Sequence, residues 1–503
     1  MKVSIKRTGV LPSADVLVLG YFADMKPNDH PWWSTFPTPI RHLIRTRLGQ
    51  PDLRMDWGNS YVLRSPTGRV KGALLLGLGK WPEWTGRRGR LLARHMVSLA
   101  RQHRWRSMIM PIIHRRGVEV DETTIEQRTI SYAMADYEFH RWRTAPPGGW
   151  PSVDRLTFLA RETKPGWEAA IRRGFMIGQS INASRDLANT PGGKMTPTML
   201  AAEARRVAKE ARLTVKILSQ PQMKRLGMGA ILGVARGSSE EPKFIILEYH
   251  GGRKIQPPLA IIGKGVTFDS GGLNLKPEPA MSDMHLDMSG GAAAIGAMTA
   301  MAKLKLPLNA VALVPAVENM PSGSGYRPGD LLHSLSGKVI EIANTDAEGR
   351  VILADAITYA QKFFKPRMIV DVATLTGAAV VALGQRAIVM FTNRGDFEAE
   401  GRAIGETSGD YVWPLPMWEE YDSEVKGTFG DVANASKTRY GGAINGAKFL
   451  QQFVDPHTPW VHLDIAPTMT SIEGDYLTKG ATGTGVRWLV ELARRVADSR
   501  FKV

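Results

Sequence analysis

Two carboxylates and an arginine lie close together in residues 344–350, which read NTDAEGR. Asp346 and Glu348 are two residues apart, and Arg350 follows two residues later. An apolar run typical of a strand precedes them, and apolar residues at helical spacing follow to about residue 363. The charged side chains should therefore lie in a strand-to-helix turn, where α/β proteins bind ligands. The alternative is that Asp346 and Glu348 only stabilise the N-terminus of the helix.

A second group of charged residues lies within residues 259–288. An apolar, strand-like run at 259–262 leads into a glycine-rich turn, and the charged residues there and just beyond are Lys264, Asp269, Lys276 and Asp287. Charged side chains after a buried strand are unfavourable in a hydrophobic core unless they are paired. The pattern therefore indicates a functional site. For Lys276 alone, an exposed lysine in a proline-rich loop is the alternative.

The four carboxylates of these two segments are Asp269, Asp287, Asp346 and Glu348. If they met without cations, each would raise the pKa of its neighbours, because like charges disfavour ionisation. Divalent metal ions remove this conflict. Oxygen ligands in a chain without cysteine suit Mg, Mn or Zn, and four carboxylates suit two metal ions better than one.

Several segments between about residues 180 and 490 carry a family resemblance. They are GKGVTFDSGG, NMPSGSGYRPGD, NTDAEGR, DVATLTGA, WVHLDIA and KGATG, in that order. In sequence and order they resemble the leucyl aminopeptidase (cytosol aminopeptidase) family. The resemblance implies an aminopeptidase that hydrolyses the N-terminal residue, preferably leucine or another bulky apolar residue, from peptides with a water activated by two metal ions. It also implies a homohexamer.

The resemblance implies roles for single residues. The metal ligands would be Lys264, Asp269, Asp287, Asp346 and Glu348, holding Zn or Mn, with Mg as the alternative. Lys276 and Arg350 would be the catalytic residues. Lys276 would stabilise the oxyanion, and Arg350 would hold a bicarbonate that acts as general base. Because an ammonium cannot bind a metal, Lys264 would have to be neutral, and the alternative for Arg350 is an ion pair with Glu348.

The resemblance also implies a pocket for the first side chain of the substrate. Its residues would be Met284, Thr374, Leu375, Gly377, Ala466 and Met469. Methionine and alanine make a pocket apolar and adaptable. For Ala466 and Met469, core packing at the end of a strand is the alternative. His462 and Asp464 are left out of the metal site, because a single histidine on an apolar strand is more often a hydrogen-bonded core residue.

Strand-like and helical segments alternate along the chain, which predicts an α/β fold. At 503 residues the chain is longer than one domain usually is. We expect a small N-terminal α/β domain at 1–165, a linking helix at 166–190 and a larger α/β catalytic domain at 191–503, with a mainly parallel sheet covered by helices on both faces. After a helix at 199–211, strands are predicted at 213–218, 230–235 and 243–249.

The net charge is +17, and residues 1–170 hold about 27 Lys or Arg against about 15 Asp or Glu. Nine arginines between residues 87 and 116 are accompanied by Trp81, Trp84 and Trp105, a composition typical of nucleic-acid surfaces. A solvated basic helix face is the structural alternative. Nucleic-acid binding through the basic N-terminal domain is therefore the alternative function. A catalytically silent relative is a third hypothesis, against which the retention of seven charged site residues argues.

The composition is 43% hydrophobic and 22% charged, as in ordinary globular proteins. The absence of cysteine excludes disulfides and thiolate ligands. No apolar run approaches the length of a transmembrane helix, and the run at 16–19 is too short for a secretory signal. We therefore expect a cytoplasmic protein with no membrane contact.

Overall fold

The computed structural model describes residues 1–7, 11–64, 70–112, 120–472, 477–498 and 501. The chain forms two compact units. Unit 1 is Met1–Gln179 with a short later segment, and unit 2 begins at Ser180. The division falls within the helix Trp167–Asn189. In the described residues, no helix is long and apolar enough to cross a membrane.

Unit 1 is built on one sheet. Its strands β1 to β6 are Lys2–Arg7, Ala14–Tyr21, Ser60–Arg64, Val70–Gly77, Ser107–Pro111 and Arg155–Ala160. Its helices α1 to α3 are Thr38–Leu48, Gly86–Gln102 and Glu122–Ala135, and α4 is Trp167–Asn189. The strand order is β1-β6-β5-β2-β4-β3. Neighbouring strands run parallel, apart from the antiparallel edge pair of β3 and β4.

Both faces of this sheet are covered, because side chains alternate along each strand. Val16 and Val18 of β2 belong to a hydrophobic cluster that includes α2 and α3. Leu17 and Leu19 belong to a second cluster that includes α1. The predicted N-terminal α/β architecture is therefore confirmed.

Unit 2 is the larger one. Its helices α5 to α13 are Pro197–Ala211, Gln220–Leu226, Gly229–Ala235, Ser289–Leu304, Glu348–Phe364, Gly377–Leu383, Phe397–Ser408, Gly442–Gln451 and Val486–Ala497. Its strands β7 to β18 are Thr214–Leu218, Lys243–His250, Leu259–Gly263, Gly265–Asp269, Asn309–Asn319, Leu331–His333, Val339–Glu341, Met368–Ala373, Ile388–Thr392, Val412–Pro414, Val432–Ala433 and Trp460–Asp464.

The main sheet of unit 2 has the order β16-β15-β18-β14-β9-β11-β8-β7, with β10 paired to β11. The strands β9, β10, β11, β14 and β18 run parallel to one another. β8 is antiparallel to β7 and β11, and β15 to β18. Helix α8 packs on β9, β11 and β14 and contacts α5 and α13. Helices α7, α9 and α12 share a hydrophobic cluster with the other face. The predicted mainly parallel sheet with helices on both faces is confirmed.

One predicted element is wrong: residues 230–235 form helix α7, not a strand. A short apolar run cannot be assigned to strand or helix by periodicity alone. Tertiary contacts favour the helix here, since Asp355 accepts a hydrogen bond from the N–H of Ile231 in its first turn. The first residue of α7 must also be glycine, because it lies close to the backbone of His333: a Cβ at Gly229 would be 2.2 Å from the carbonyl oxygen of His333.

The same aspartate makes stability depend on pH. Asp355 is fully buried and accepts hydrogen bonds from the N–H of Leu335 at 2.7 Å and of Ile231 at 3.0 Å. Burial raises the pKa of its carboxyl group from 3.8 to about 7. Between these two values the native protein holds a proton that the unfolded chain has released, so this carboxyl makes stability fall as pH rises.

We expect wild type to lose about 2–4 kcal/mol of unfolding free energy relative to Asp355→Asn between about pH 5 and about pH 8. The variant is the reference because asparagine does not titrate in this range. Urea unfolding of both proteins in chelator measures the difference at each pH. A difference that stays constant would contradict the raised pKa.

Candidate active site

The charged residues meet at one edge of the main sheet of unit 2. Lys264 follows β9, Asp269 ends β10, Thr374 follows β14 and Asp464 ends β18. These strands are parallel, so their carboxyl ends lie at the same edge, where open α/β sheets bind ligands. Glu348 is the first residue of α9.

Lys264 lies among carboxylates. Its Nζ is 2.8 Å from an oxygen of Asp287 and 2.8 Å from Oε1 of Glu348, and it donates to the carbonyl oxygen of Thr374 at 2.9 Å. A Cβ at Gly349 would lie 2.5 Å from Cε of this lysine. Only glycine therefore lets the first turn of α9 come this close.

Lys276 joins two further carboxylates. Its Nζ is 2.8 Å from Oδ2 of Asp269 and 2.5 Å from Oδ1 of Asp346. The other oxygen of Asp269 accepts hydrogen bonds from the N–H of Gly271 and from Nδ2 of Asn319. The Lys276 side chain is only 15% exposed, so it is not the surface lysine of the alternative reading.

The carboxylates are arranged as ligands could be. One oxygen from each of Asp269, Asp346 and Glu348 lies within 4.8 Å of the other two. Oε2 of Glu348 is buried, and in the described residues it has neither a hydrogen bond nor an ion pair. An orphaned buried carboxylate oxygen beside other carboxylates fits the role of a metal ligand. The donor set therefore suits divalent metal ions.

The electrostatics agree with this fit. Burial raises the pKa of Asp287 well above its usual value, and burial with neighbouring carboxylates raises the pKa values of Asp269 and Asp346. Burial lowers the pKa of Lys264, but Asp287, Glu348 and Asp269 outweigh it, so its pKa is raised. The two ammonium groups thus leave the four carboxylates short of positive charge.

Neither acidic residue of the 344–350 turn caps α9, whose N-cap Ala347 has no side-chain cap hydrogen bond. Arg350 lies in the first turn of that helix and is buried. Its Nη1 donates to the carbonyl oxygen of Asn434 at 2.9 Å, and its buried Nε has no partner among the described residues. In that part of the chain it forms no ion pair with Glu348. Burial lowers the pKa of Arg350 to about 10, which still leaves it cationic at neutral pH.

The predicted substrate-pocket residues lie on three segments. Met284 is in the 3-10 helix Ala280–Met288, which also carries Asp287. Thr374 donates to Oδ1 of Asp287 at 2.7 Å and is buried, whereas Gly377 is exposed. The N–H groups of Leu375 and Ala466 both donate to Oδ1 of Asp464, which holds these two residues together. Met284, Leu375, Ala466 and Met469 are half-buried.

The strand β18 supports the site without supplying a ligand. His462 is fully buried, and its Nδ1 is 2.6 Å from Oδ1 of Asp371. Oδ2 of Asp464 accepts a hydrogen bond from Thr376 at 2.7 Å. The prediction that His462 is a hydrogen-bonded core residue is confirmed.

Two asparagines were not found from the sequence. Asn319 is fully buried, and its amide donates to Asp269 at 2.8 Å and to the carbonyl oxygen of Thr345 at 3.0 Å. Asn434 orients Arg350 and donates to the carbonyl oxygen of Asn344 at 2.7 Å. Asn319 is a polar residue at the end of the apolar strand β11, and this position could have marked it as a site residue. Asn434 follows a strand of only two residues, so no sequence pattern marks it.

The basic segment of unit 1 is largely helix α2, whose buried side includes Leu92 and Met96. Several of its arginines have acidic partners within unit 1. Arg94 and Arg101 contact Glu138, and Arg88 is 3.1 Å from Glu83. Arg115 and Arg116 lie outside the described residues. Because these acidic partners neutralise part of the positive charge, helix α2 resembles a solvated basic helix face, which was the alternative to a nucleic-acid surface.

Comparison with known proteins gives a match to one family. Residues 182–490 match the sequence model described as the cytosol aminopeptidase family, catalytic domain. A probable cytosol aminopeptidase of Roseiflexus castenholzii is 39% identical over 507 residues, which cover 98% of this chain and 99% of that protein. A probable cytosol aminopeptidase of Syntrophotalea carbinolica is 47% identical over 363 residues, which cover 71% and 72%.

Solved structures are similar over nearly the whole chain. A mutant of tomato leucine aminopeptidase has a TM-score of 0.87 at 32% identity, covering 98% of this chain and 96% of that one. The bottromycin maturation enzyme BotP in complex with Mn has a TM-score of 0.84 at 30% identity, covering 97% and 100%. The likeness therefore extends beyond the residues that carry the candidate site.

Proposed function

The chain belongs to the cytosol aminopeptidase family of metal-dependent peptidases, and from this premise we propose that it uses two divalent metal ions to remove leucine or another bulky apolar residue from the N-terminus of peptides. The observation that supports the two-metal part is the group of four carboxylates around two lysines, with an orphaned oxygen on Glu348. Aminopeptidase activity itself follows from the family.

The proposed ligands are Lys264, Asp269, Asp287, Asp346 and Glu348. When bound, two such ions polarise the scissile carbonyl and lower the pKa of a water. Lys264 would bind a metal ion through Nζ, which requires that its ammonium lose a proton. Zn and Mn are the proposed ions, with Mg as the alternative. The Mn complex of BotP, a structural relative, supports Mn as one candidate.

Lys276 and Arg350 are the proposed catalytic residues. Lys276 keeps its proton, since its carboxylate neighbours raise its pKa against the effect of burial, and its ammonium stabilises the oxyanion of the tetrahedral intermediate. Arg350 offers a planar guanidinium whose Nε has no partner among the described residues. Such a fork would hold a bicarbonate, and a bound bicarbonate would supply a general base.

Replacing Arg350 by methionine tests the bicarbonate role. We expect kcat to fall about 10-fold to 100-fold, because the general base is no longer held. Wild type should lose activity in bicarbonate-free buffer and regain it on addition, whereas the variant should not respond. The matched control is Arg367→Met, which changes a half-buried arginine of the same unit. A variant that keeps the full bicarbonate response would contradict this role.

The proposed pocket for the first side chain of the substrate consists of Met284, Thr374, Leu375, Gly377, Ala466 and Met469. Half-buried methionine, leucine and alanine suit an apolar side chain. None of these residues is charged, so an acidic or basic first residue would lose its solvation without gaining a partner. A preference for leucine over glutamate is therefore expected.

Hydrolysis of leucine and glutamate anilides by the purified chain tests the proposed function. Activity should favour leucine, disappear with a chelator and return with Mn or Zn. Metal analysis of the active protein should give two ions per chain. Equal activity on both anilides would contradict the preference, and full activity with one ion per chain would contradict the two-metal site.

Four further expectations stay predictions. Sedimentation equilibrium tests the homohexamer, since a hexamer has six times the 55.3 kDa mass of the chain. Salt-dependent binding of duplex DNA tests the nucleic-acid alternative, which no observation favours. Expression of residues 1–165 and 191–503 as separate chains tests the proposed division into an N-terminal domain, a linking helix at 166–190 and a catalytic domain. Cytoplasmic location is testable by cell fractionation.

A further inference from the structure

Unit 1 contains a cavity of about 390 Å³ at the carboxyl ends of β2, β4 and β5. Residues of α2 and α3 form its other walls. In open parallel sheets, ligands bind at this edge, and the volume falls within the range of small-molecule sites. The cavity is far in sequence from the aminopeptidase residues, all of which belong to unit 2.

Most of the wall is apolar and aromatic. Trp81 and Trp84 both line the cavity and contact Phe22 edge-on, at centroid distances of 4.9 and 5.7 Å. The hydroxyl of Tyr132 donates to Sδ of Met96 at 2.9 Å. Such walls suit a ligand with an aromatic or otherwise apolar body.

Two arginines, Arg90 of α2 and Arg128 of α3, also line the cavity. Across the described part of the chain, the Arg128 guanidinium has no hydrogen bond and no ion pair, and burial lowers its pKa. The acidic residue in the wall, Asp121, is already used as the N-cap of α3 and accepts from the N–H of Thr124 at 2.7 Å and its hydroxyl at 2.6 Å. Glu126, an acidic residue of the same helix, forms an ion pair with Arg173 at 2.7 Å and not with Arg128.

An unpaired guanidinium in an apolar cavity destabilises the folded protein unless something binds it. Among the described residues no structural partner explains Arg128, whereas an anionic ligand would. The helix α2 begins at the same wall and has no acidic residue in its first turn. Its positive N-terminus therefore adds to the attraction for an anion.

We propose that this cavity binds a small organic anion with an aromatic or otherwise apolar body, whose carboxylate or phosphate group pairs with Arg128. The planar guanidinium binds either group through two hydrogen bonds. The apolar body lies against Trp81 and Trp84. This is a second site, independent of the aminopeptidase reaction.

Calorimetric titration of the full chain tests the site with AMP and indole-3-acetate, and with their uncharged counterparts adenosine and indole. We expect AMP or indole-3-acetate to bind with Kd below about 1 mM, and its uncharged counterpart at least tenfold more weakly. Binding of AMP alone identifies a phosphate ligand, and binding of indole-3-acetate alone identifies a carboxylate ligand. The proposal is overturned if neither anion binds.

Variants separate this site from the active site. Arg128→Gln should weaken binding at least tenfold and leave or raise the thermal stability, because no partner is lost. The matched control Arg172→Gln removes an exposed arginine of the same unit and should bind as wild type. Trp84→Leu should also weaken binding, and Glu348→Gln should not. Binding that is unchanged by Arg128→Gln, or lost equally in Arg172→Gln or Glu348→Gln, overturns the proposal.

Discussion

Replacing Glu348 by glutamine is expected to lower kcat at least about 10³-fold, a loss of about 4 kcal/mol in transition-state stabilisation. The variant should also bind fewer than two metal ions per chain. Glu348 is buried, 2.8 Å from Nζ of Lys264, and its second oxygen has no partner in the described part of the chain. An amide of the same shape keeps the packing and removes the negative charge that a cation needs.

Metal analysis and anilide hydrolysis measure the two effects on the same protein. Glu318→Gln is the matched control, since Glu318 lies in β11 and accepts a hydrogen bond from Ser238 at 2.5 Å, outside the carboxylate group. Circular dichroism should show both variants folded. Two metal ions per chain in Glu348→Gln would remove Glu348 from the ligand set.

Replacing Lys276 by methionine is expected to lower kcat about 100-fold, with little change in KM and with both metal ions retained. The reason is that the ammonium stabilises charge that develops only in the transition state. Its Nζ lies 2.8 Å from Asp269 and 2.5 Å from Asp346, two of the proposed metal ligands.

Lys264→Met is the informative comparison, because it removes a proposed ligand and should lower metal content. Lys254→Met, an exposed lysine between β8 and β9, is the neutral control. Lys276→Arg keeps the charge and should recover part of the rate. An unchanged kcat in Lys276→Met would assign a structural role, and loss of metal there would make this lysine a support for the ligands.

Much of the fold and of the candidate site could be predicted because the signals are local. The turn at 344–350 follows a short strand and opens α9, and both elements show their own periodicity. The helix at 199–211 and the strand at 243–249 were found within one or two residues. The run at 230–235 was not, because six apolar residues fit a buried helix and a buried strand equally well.

The sequence by itself determined most of the element types, the family and the residue types of the site, because these depend on patterns within short segments. Only the tertiary structure decided which groups meet. Asn319 binds Asp269, Asn434 binds Arg350, and Asp355 holds the start of α7, in each case across more than 45 residues of chain. It likewise placed Arg128 in a mostly apolar cavity without a partner among the described residues. Such contacts arise from the packing of strands and helices distant in sequence, and no local pattern encodes them.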